Sequence, residues 1–275
     1  MLRRKLSTFL RRLCAEPPFR LFSRTLVKYF ATSMYTKARW DAVERPHYLM
    51  GVLRAADQAK KQHIAEICVA EFGVAQGDGL FCLQQYAEDV ERQTGVRIKV
   101  YGFDTGKGLP ALSGDYRDHP DFYTIGDYPS DTDAVRSRLT SRTELIVGNV
   151  RDTVEDFVTN KQKVPLGFAS IDVDFYTSTR DALRILSHSR RNVLHRVVLY
   201  FDELDLDYFH QYAGEFLAIN EFNAQHAHVK IDKWHGVRKL RPFPENPKLI
   251  GMYVSHDLEA ISQVVLSRAA APRAT

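Results

Sequence analysis

From about residue 64 onward, short apolar runs rich in β-branched and aromatic residues alternate with stretches of helical spacing. The first run spans 64–74, a helical stretch follows near 79–95, and the second run spans 97–104. The later runs span 143–148, 166–172, 196–202, 228–234 and 248–254. Alternation of this kind is typical of a largely parallel sheet whose strands are joined by crossover helices. It predicts an α/β fold and excludes an all-helical or all-β chain.

The chain divides around this alternation into three predicted parts. Residues 1–60 have helical spacing interrupted at Pro17-Pro18 and Pro46, and we predict an N-terminal helical extension there. Residues 61–260 are predicted to form one Rossmann-like domain, and 261–275 a flexible tail. The domain is expected to hold a seven-stranded, mostly parallel sheet with helices on both faces and an antiparallel pair at one edge.

The positive charge of the chain is concentrated at its N-terminus. The 275 residues carry a formal charge of +4, but residues 1–45 contain eleven Lys or Arg and three acids, so the remainder carries −4. This distribution argues against a nucleic-acid-binding core. Residues 1–13 are amphipathic and basic, which leaves four interpretations open: contact with a membrane surface, packing on the domain, packing on a second subunit of a homodimer, or an organelle transit peptide.

No apolar run is long enough for a transmembrane helix. The three cysteines, Cys14, Cys68 and Cys82, are odd in number and have no CxxC spacing. They are typical of reduced thiols, so we expect a cytoplasmic protein without a metal–thiolate site.

Three glycines follow the first predicted strand and open the next helix. Gly73, Gly77 and Gly79 have the spacing G-x3-G-x-G, whereas dinucleotide-binding proteins favour G-x-G-x2-G. Glycine allows a sharp turn and a close approach to a ligand. The nearby Glu71 and Asp78 suit a positively charged cofactor such as S-adenosylmethionine (SAM) rather than a pyrophosphate. Taken alone, however, this segment also fits an ordinary strand-to-helix turn.

Polar residues end the next strands. Asp104 closes the second run, where a carboxylate can accept hydrogen bonds from two ribose hydroxyls. Asn149 follows the third run at the same edge of the predicted sheet. Because ligands of open α/β sheets bind at the carboxyl ends of the strands, we assign Glu71, Gly73, Gly77, Asp104 and Asn149 to cofactor binding.

Four acids follow the fourth and fifth runs: Asp172, Asp174, Asp202 and Glu203. Carboxylates crowded at one edge would repel each other, and a hard divalent cation such as Mg²⁺ would relieve that repulsion. The alternative is that Asp174 caps the following helix while Glu203 faces solvent. A long segment rich in Gly, Pro and Asp, 105–133, is predicted to be a substrate loop. Aromatic residues within 122–128 and 208–212 are candidates for the wall of a substrate pocket.

Four stretches resemble the class I SAM-dependent methyltransferases, and among them the macrocin O-methyltransferase family. They are EFGVAQG (71–77), YGFDTGKGLP (101–110), GNVRDTV (148–154) and IDVDFYTST (171–179). The resemblance implies that SAM lies over the glycines with its ribose on Asp104, and that Asp172, Asp202 and Glu203 hold Mg²⁺. It covers roughly 64–205, and Glu203 stands where the family commonly has an aspartate.

The leading hypothesis is therefore a SAM-dependent, Mg²⁺-assisted O-methyltransferase that acts on a hydroxyl of a small molecule, such as a sugar or another natural product. Asp172 is the catalytic candidate, either as a bridge between metal and acceptor or as a base. A SAM-binding scaffold without activity is the alternative. A nicotinamide-dependent oxidoreductase is disfavoured by the glycine spacing, and a hydrolase by the lack of a G-x-S-x-G motif.

Overall fold

A computed structural model describes residues 19–111, 114–205, 209–242 and 246–264. The amphipathic segment 1–13, Cys14 and residues 265–275 of the predicted tail 261–275 lie outside these residues. Cys68 and Cys82 are free thiols.

Seven strands form one sheet in the order β3-β2-β1-β4-β5-β7-β6. Strands β1 to β5 run parallel, whereas β7 is antiparallel to both β5 and β6. The predicted fold class and the antiparallel pair at the edge are thus confirmed. The strand bounds are Glu66–Phe72 (β1), Arg97–Asp104 (β2), Thr143–Val147 (β3), Leu166–Ile171 (β4), Val193–Phe201 (β5), Val229–Lys233 (β6) and Met252–Asp257 (β7).

Nine α-helices surround this sheet in the described residues. They are Phe19–Phe30 (α1), Met34–Arg39 (α2), Pro46–Lys61 (α3), Asp78–Thr94 (α4), Thr132–Ser137 (α5), Val150–Asp156 (α6), Tyr176–Ser187 (α7), Gly214–Gln225 (α8) and Leu258–Ser262 (α9). A short π-helical stretch, Phe157–Lys161, continues α6. Short 3₁₀ turns lie at Tyr116–Asp118, Glu203–Asp205, Val237–Leu240 and Pro247–Leu249.

Two apolar layers cover the two faces of the sheet. Successive side chains of a strand point to opposite faces, so Ile67 and Val69 of β1 pack with α3 and α4, whereas Cys68 and Ala70 pack with α6, α7 and α8. All four of these side chains are fully buried. The helices therefore fix the sheet from both sides and leave the carboxyl ends of its strands open to a ligand.

Helix α3 belongs to the predicted N-terminal extension, but it packs directly on the sheet. Its Gly51 lies against the ring of Phe168 in β4, where an added Cβ would come within 2.3 Å of a ring carbon. Tyr48 and Leu49 of the same helix are fully buried, and burial of a large apolar side chain contributes roughly 1.5–3 kcal/mol. The segment before residue 61 thus contributes to the core.

Helix α1 contrasts with α3, because its large apolar side chains are exposed. They are Phe19, Leu21, Phe22, Leu26, Tyr29 and Phe30. Among the described helices, none has the length and the apolar character that crossing a membrane requires.

The last strand is the element whose predicted bounds differ most from the structure. Pro247–Leu249 forms a 3₁₀ turn at the predicted start of that strand, and the Asn246 side chain accepts a hydrogen bond from the Lys248 N–H. Proline has no N–H to give to a sheet and favours the first turn of a helix. The strand therefore begins only at Met252.

Candidate functional site

A cavity of about 280 Å³ lies at the carboxyl ends of the parallel strands. Its wall includes Gly73 after β1, Asp104 of β2, Asn149 after β3, Asp172 after β4 and Glu203 after β5. Strand order reverses between β1 and β4, and this is the position where ligands bind in open α/β sheets. One cavity therefore contains most of the residues that the sequence assigned to cofactor and metal.

The backbone of the loop between β1 and α4 touches the end of β4. Gly73 has a φ of +83°, and a Cβ on it would lie 1.7 Å from the carbonyl oxygen of Asp172. Both the left-handed backbone and the close approach require glycine here. Gly77 adopts a φ of +93° at the start of α4, but it faces Phe81 and Val135 and is not part of the described wall. The structure thus brings Gly73 to the cavity and gives Gly77 a structural position.

The carboxylate of Asp104 holds this glycine loop in place. Its Oδ2 accepts hydrogen bonds from the N–H groups of Val74 (2.8 Å) and Ala75 (2.9 Å), and its Oδ1 accepts one from Gly106 (2.6 Å). A carboxylate offers about four acceptor sites. Oδ1 therefore keeps one site for a ligand hydroxyl, whereas Oδ2 already has two donors. This organising role of Asp104 was not predicted from the sequence.

Glu71 lies behind the glycine loop and is not part of the described wall. Its Oε1 accepts a hydrogen bond from Tyr48 Oη (2.8 Å), and Tyr48 Oη accepts one from Ser170 (2.7 Å). Its Oε2 is buried without a hydrogen-bond partner among the described residues. Burial raises the pKa of Glu71 to about 8. A Cβ on Gly79 would lie 1.8 Å from Oε1, so this third glycine makes room for the acid.

Asn149 lines the cavity and also caps a helix. Its side-chain oxygen accepts a hydrogen bond from the Arg151 N–H (2.9 Å) at the start of α6. The first turn of a helix carries unpaired N–H groups, and this cap satisfies one of them. The side chain is therefore held rigidly at the edge of the cavity.

Three acids form a cluster on the other side of the cavity. Carboxylate oxygens of Asp172, Asp174 and Glu203 all lie within 4.8 Å of one another. Burial and the neighbouring carboxylates raise the pKa of Asp172 to about 7 and that of Asp174 to about 8, and burial also raises the pKa of Glu203. Asp174 has a φ of +61°, an uncommon backbone conformation for a residue other than glycine.

This cluster differs by one residue from the predicted metal set of Asp172, Asp202 and Glu203. Asp202 also lines the cavity, but its Oδ1 accepts hydrogen bonds from Lys248 Nζ (2.6 Å) and from the Tyr200 hydroxyl. Burial raises the pKa of Asp202, yet these two hydrogen bonds and the charge of Lys248 outweigh it and hold that pKa below its usual value. Lys248 therefore neutralises Asp202, whereas Asp174 is the acid that joins Asp172 and Glu203.

The cluster fits a hard divalent cation. Its donors are carboxylate oxygens, which Mg²⁺ prefers. Burial, together with the neighbouring carboxylates, raises the pKa of each of the three acids, so a bound cation would relieve the cost of their charge. Glu203 is only 8% exposed, which rules out the alternative in which it merely faces solvent. The structure also places Asp174 ahead of Phe175, the residue that precedes α7, with no capping hydrogen bond from Asp174 to that helix among the described contacts.

Two residues support Glu203, of which the sequence placed Tyr123 only in a predicted pocket wall and did not indicate Glu215. Tyr123, from the loop 105–133, donates a hydrogen bond from its hydroxyl to Glu203 Oε2 (2.8 Å). Glu215, at the start of α8, is buried and accepts a hydrogen bond from the Glu203 N–H (3.2 Å). Burial raises the pKa of Glu215 well above its usual value. No local pattern in the sequence links either residue to Glu203.

The loop 105–133 forms one side of the cavity. The N–H of Leu109 donates to Asp127 O (2.8 Å), and the N–H of Gly126 donates to Leu109 O (3.0 Å). These two bonds join the arms of the loop, and Leu109, Asp127 and Tyr128 all line the cavity. A predicted substrate loop thus lies beside the predicted site.

Comparison with known proteins supports the fold. The chain is similar to the crystal structure of CalS11, a calicheamicin methyltransferase, with a TM-score of 0.53, 19% sequence identity, and coverage of 88% of this chain and 93% of that one. The O-methyltransferase NovP matches with a TM-score of 0.46 and 18% identity over 64% of this chain and 71% of its own. No protein-family model matches the chain, and no curated protein sequence matches it.

At 19% identity, the likeness to CalS11 concerns the fold alone. The resemblance to class I SAM-dependent methyltransferases is thus confirmed as a resemblance of architecture. The chemistry of the site is indicated by the residues of the cavity.

Proposed function

We propose that this protein is a SAM-dependent O-methyltransferase, assisted by a divalent metal ion, that acts on a hydroxyl of a small molecule. The observation that carries the proposal is that one cavity joins two different sets of groups. Gly73, Asp104 and Asn149 lie on one side, and the three clustered acids lie on the other. A methyl donor and a metal-bound acceptor need neighbouring sites of these two kinds.

The first set of groups is suited to the cofactor. Gly73 lines the cavity and lets the loop backbone lie against β4, and Asp104 Oδ1 keeps an acceptor site for a ribose hydroxyl. SAM, when bound, supplies a methyl group activated by a positively charged sulfonium. The described wall of the cavity contains six acids and no Lys, Arg or His, which favours a cationic ligand. Glu71 and Gly77 remain cofactor-binding predictions.

The second set is suited to the acceptor. Asp172, Asp174 and Glu203 would hold Mg²⁺, with Asp202 beside them as the fourth predicted acid. Bound Mg²⁺ would lower the pKa of an acceptor hydroxyl. The raised pKa values of Asp172 and Asp174, about 7 and about 8, allow either carboxylate to accept a proton near neutral pH. Asp172 keeps its predicted catalytic role, and Asp174 is a second candidate for the base.

The acceptor proposed here is a sugar or another natural product. CalS11, which shares the fold, is a calicheamicin methyltransferase, and residues of the loop 105–133 line the cavity that holds the acids. A cytoplasmic location remains our expectation from the free thiols.

The variant Asp172→Asn tests this proposal. It keeps the shape of the side chain but removes the charge, so we expect methyl transfer to fall by roughly 10²–10⁴-fold while S-adenosylhomocysteine still binds. The measurement is transfer of a labelled methyl group from SAM to a panel of hydroxylated acceptors, with Mg²⁺ and with EDTA. Asp133→Asn is the control, because the Asp133 side chain is 93% exposed.

Each alternative has its own outcome in that experiment. Unchanged turnover of Asp172→Asn, or turnover indifferent to EDTA, would contradict the metal mechanism. Binding of SAM by the wild-type protein without transfer to any acceptor would favour the scaffold. Binding of NADH without binding of SAM would instead favour an oxidoreductase.

A further inference from the structure

A continuous series of rings leads from the acid cluster to the surface. Adjacent ring centroids are 5.0 Å apart for Tyr123 and Phe122, 5.4 Å for Phe122 and Phe209, and 4.3 Å for Phe209 and His119, whose planes are stacked at 3°. The series continues through His210 to Tyr212, with spacings of 5.6 and 6.1 Å. We define these residues as the aromatic ridge: His119, Phe122, Tyr123, Phe209, His210 and Tyr212.

The inner end of the ridge belongs to the site. Tyr123 is buried, and its hydroxyl donates to Glu203 Oε2 at 2.8 Å. Its ring also packs with Leu109, which lines the cavity. A molecule whose hydroxyl reaches the acids from this side therefore lies beside the ridge.

The outer end of the ridge is exposed. Phe122 is 57% exposed and Tyr212 is 65% exposed. Tyr128, which lines the cavity directly, is 62% exposed. Large exposed rings gathered beside a cavity indicate a binding surface, whereas single exposed apolar residues need no such explanation.

The charge of the cavity restricts what that surface can bind. Asp104, Asp127, Asp172, Asp174, Asp202 and Glu203 line it, and no Lys, Arg or His does so in the described part of the chain. Lys248, the cation beside Asp202, already forms an ion pair with that acid at 2.6 Å. Recognition of a phosphate normally uses Arg, Lys or a metal ion.

We infer that the acceptor is an uncharged molecule with an apolar ring system that packs on the aromatic ridge while its hydroxyl enters the acid-lined cavity. An anionic acceptor such as a nucleotide sugar is disfavoured, because the acceptor hydroxyl would occupy the metal, and the rest of the described wall offers a diphosphate carboxylates and no Lys, Arg or His. This inference rests on the proposed function, since it assumes that the cavity binds SAM and an acceptor together.

Two rhamnosides form a matched pair of probes. 4-Methylumbelliferyl rhamnoside joins the sugar to a neutral aromatic group, whereas TDP-rhamnose joins the same sugar to a diphosphate. We expect the wild-type protein, with S-adenosylhomocysteine and Mg²⁺, to bind the aryl rhamnoside at least about tenfold more tightly in calorimetry. Stacking on an exposed ring is worth around 1 kcal/mol, so Phe122→Ala and Tyr212→Ala should each weaken that binding by about fivefold.

Controls separate a loss of stacking from a loss of folding. Tyr29→Ala removes a ring that is 72% exposed on α1, away from the ridge, and should change neither affinity. Phe122→Leu keeps an apolar side chain against Phe209, and it should lose aryl affinity without a change in melting temperature. All variants should bind S-adenosylhomocysteine as the wild type does.

Three results would overturn the inference. They are tighter binding of TDP-rhamnose, unchanged aryl affinity in both ridge variants, and no binding of the aryl rhamnoside at millimolar concentration by a protein that binds S-adenosylhomocysteine. A protein that binds no S-adenosylhomocysteine at all would instead refute the proposed function, so the two failures are distinguishable.

Discussion

The two sides of the cavity are built in different ways. On the side of β1, β2 and β3, the backbone shapes the site: Gly73 fits against a carbonyl, and Asp104 accepts three hydrogen bonds from backbone N–H groups. On the side of β4 and β5, side chains shape it. Three acids crowd together there; Tyr123 holds one of them, Glu203, and Lys248 holds the neighbouring Asp202.

One side of the cavity is thus held rigid by hydrogen bonds to its backbone, and the other side contains the acids suited to the reaction. The carboxylate of Asp104 accepts hydrogen bonds from neutral backbone donors of two loops, so this side is organised before any ligand arrives. The acids of the other side keep raised pKa values because burial and mutual repulsion disfavour their charge. We therefore expect changes on the first side to act on folding and cofactor binding, and changes on the second to act on metal binding and turnover.

The largest effect is expected from Gly73→Ala. An added Cβ would lie 1.7 Å from Asp172 O at a φ of +83°, so the loop must move away from β4. We expect a loss of about 4 kcal/mol of unfolding free energy and no binding of S-adenosylhomocysteine. Gly95→Ala is the matched control, because Gly95 has a φ of +79° with nothing within 4 Å of an added Cβ. It should cost about 1 kcal/mol in denaturant unfolding, and equal costs for both variants would contradict the close approach.

The next effect is a pH dependence on the acidic side. Burial raises the pKa of Asp174 from 3.8 to about 8. The folded state therefore retains a proton that the unfolded state releases, and stability falls as pH rises from about 4 to about 8. Asp174→Asn removes this penalty, so without metal it should become more stable than the wild type by about 2 kcal/mol at pH 9, with little difference at pH 4.

Denaturant unfolding at the two pH values in EDTA measures that difference. Added Mg²⁺ should stabilise the wild type at pH 9 and leave Asp174→Asn less affected. A difference between the two proteins that is the same at pH 4 and pH 9 would show that Asp174 is not a buried, unpaired acid.

A smaller effect is expected from Tyr123→Phe, which removes the hydrogen bond to Glu203 Oε2 and keeps the ring. Partners that orient a metal ligand commonly contribute 10–100-fold to affinity or activity. We expect turnover to fall by about tenfold and the Mg²⁺ concentration for half-maximal turnover to rise, with unchanged binding of S-adenosylhomocysteine. An equal loss of turnover at saturating and at limiting Mg²⁺ would mean that the Tyr123 hydroxyl does not act through the metal site.

The smallest effect is expected from Lys248→Met. The Lys248 side chain is 52% exposed, so its ion pair with Asp202 is largely screened by solvent. We expect a loss below about 1 kcal/mol in denaturant unfolding. A loss of several kcal/mol would show that Asp202 depends on this cation far more than its exposure indicates.

The same contrast explains what could be predicted from the sequence. Apolar runs and glycines are local signals, so they predicted the seven-stranded fold. They also predicted that Gly73 and Asp104 lie at the same edge of the sheet. The partners of the acids are distant in the chain: Tyr123 lies 80 positions from Glu203, and Lys248 lies 46 from Asp202. No local pattern links such residues, and the sequence therefore did not distinguish Asp174 from Asp202 as the third acid of the cluster.

Calorimetric titration of the wild-type protein with S-adenosylhomocysteine, once in EDTA and once in Mg²⁺, tests the central claim most directly. If the side formed by Gly73 and Asp104 binds the cofactor independently of the acids, one molecule of S-adenosylhomocysteine binds per chain. Its affinities in EDTA and in Mg²⁺ then agree within about twofold, a difference below 0.5 kcal/mol. Absence of binding under both conditions would contradict the assignment of this cavity to SAM, and binding that requires Mg²⁺ would contradict the independence of its two sides.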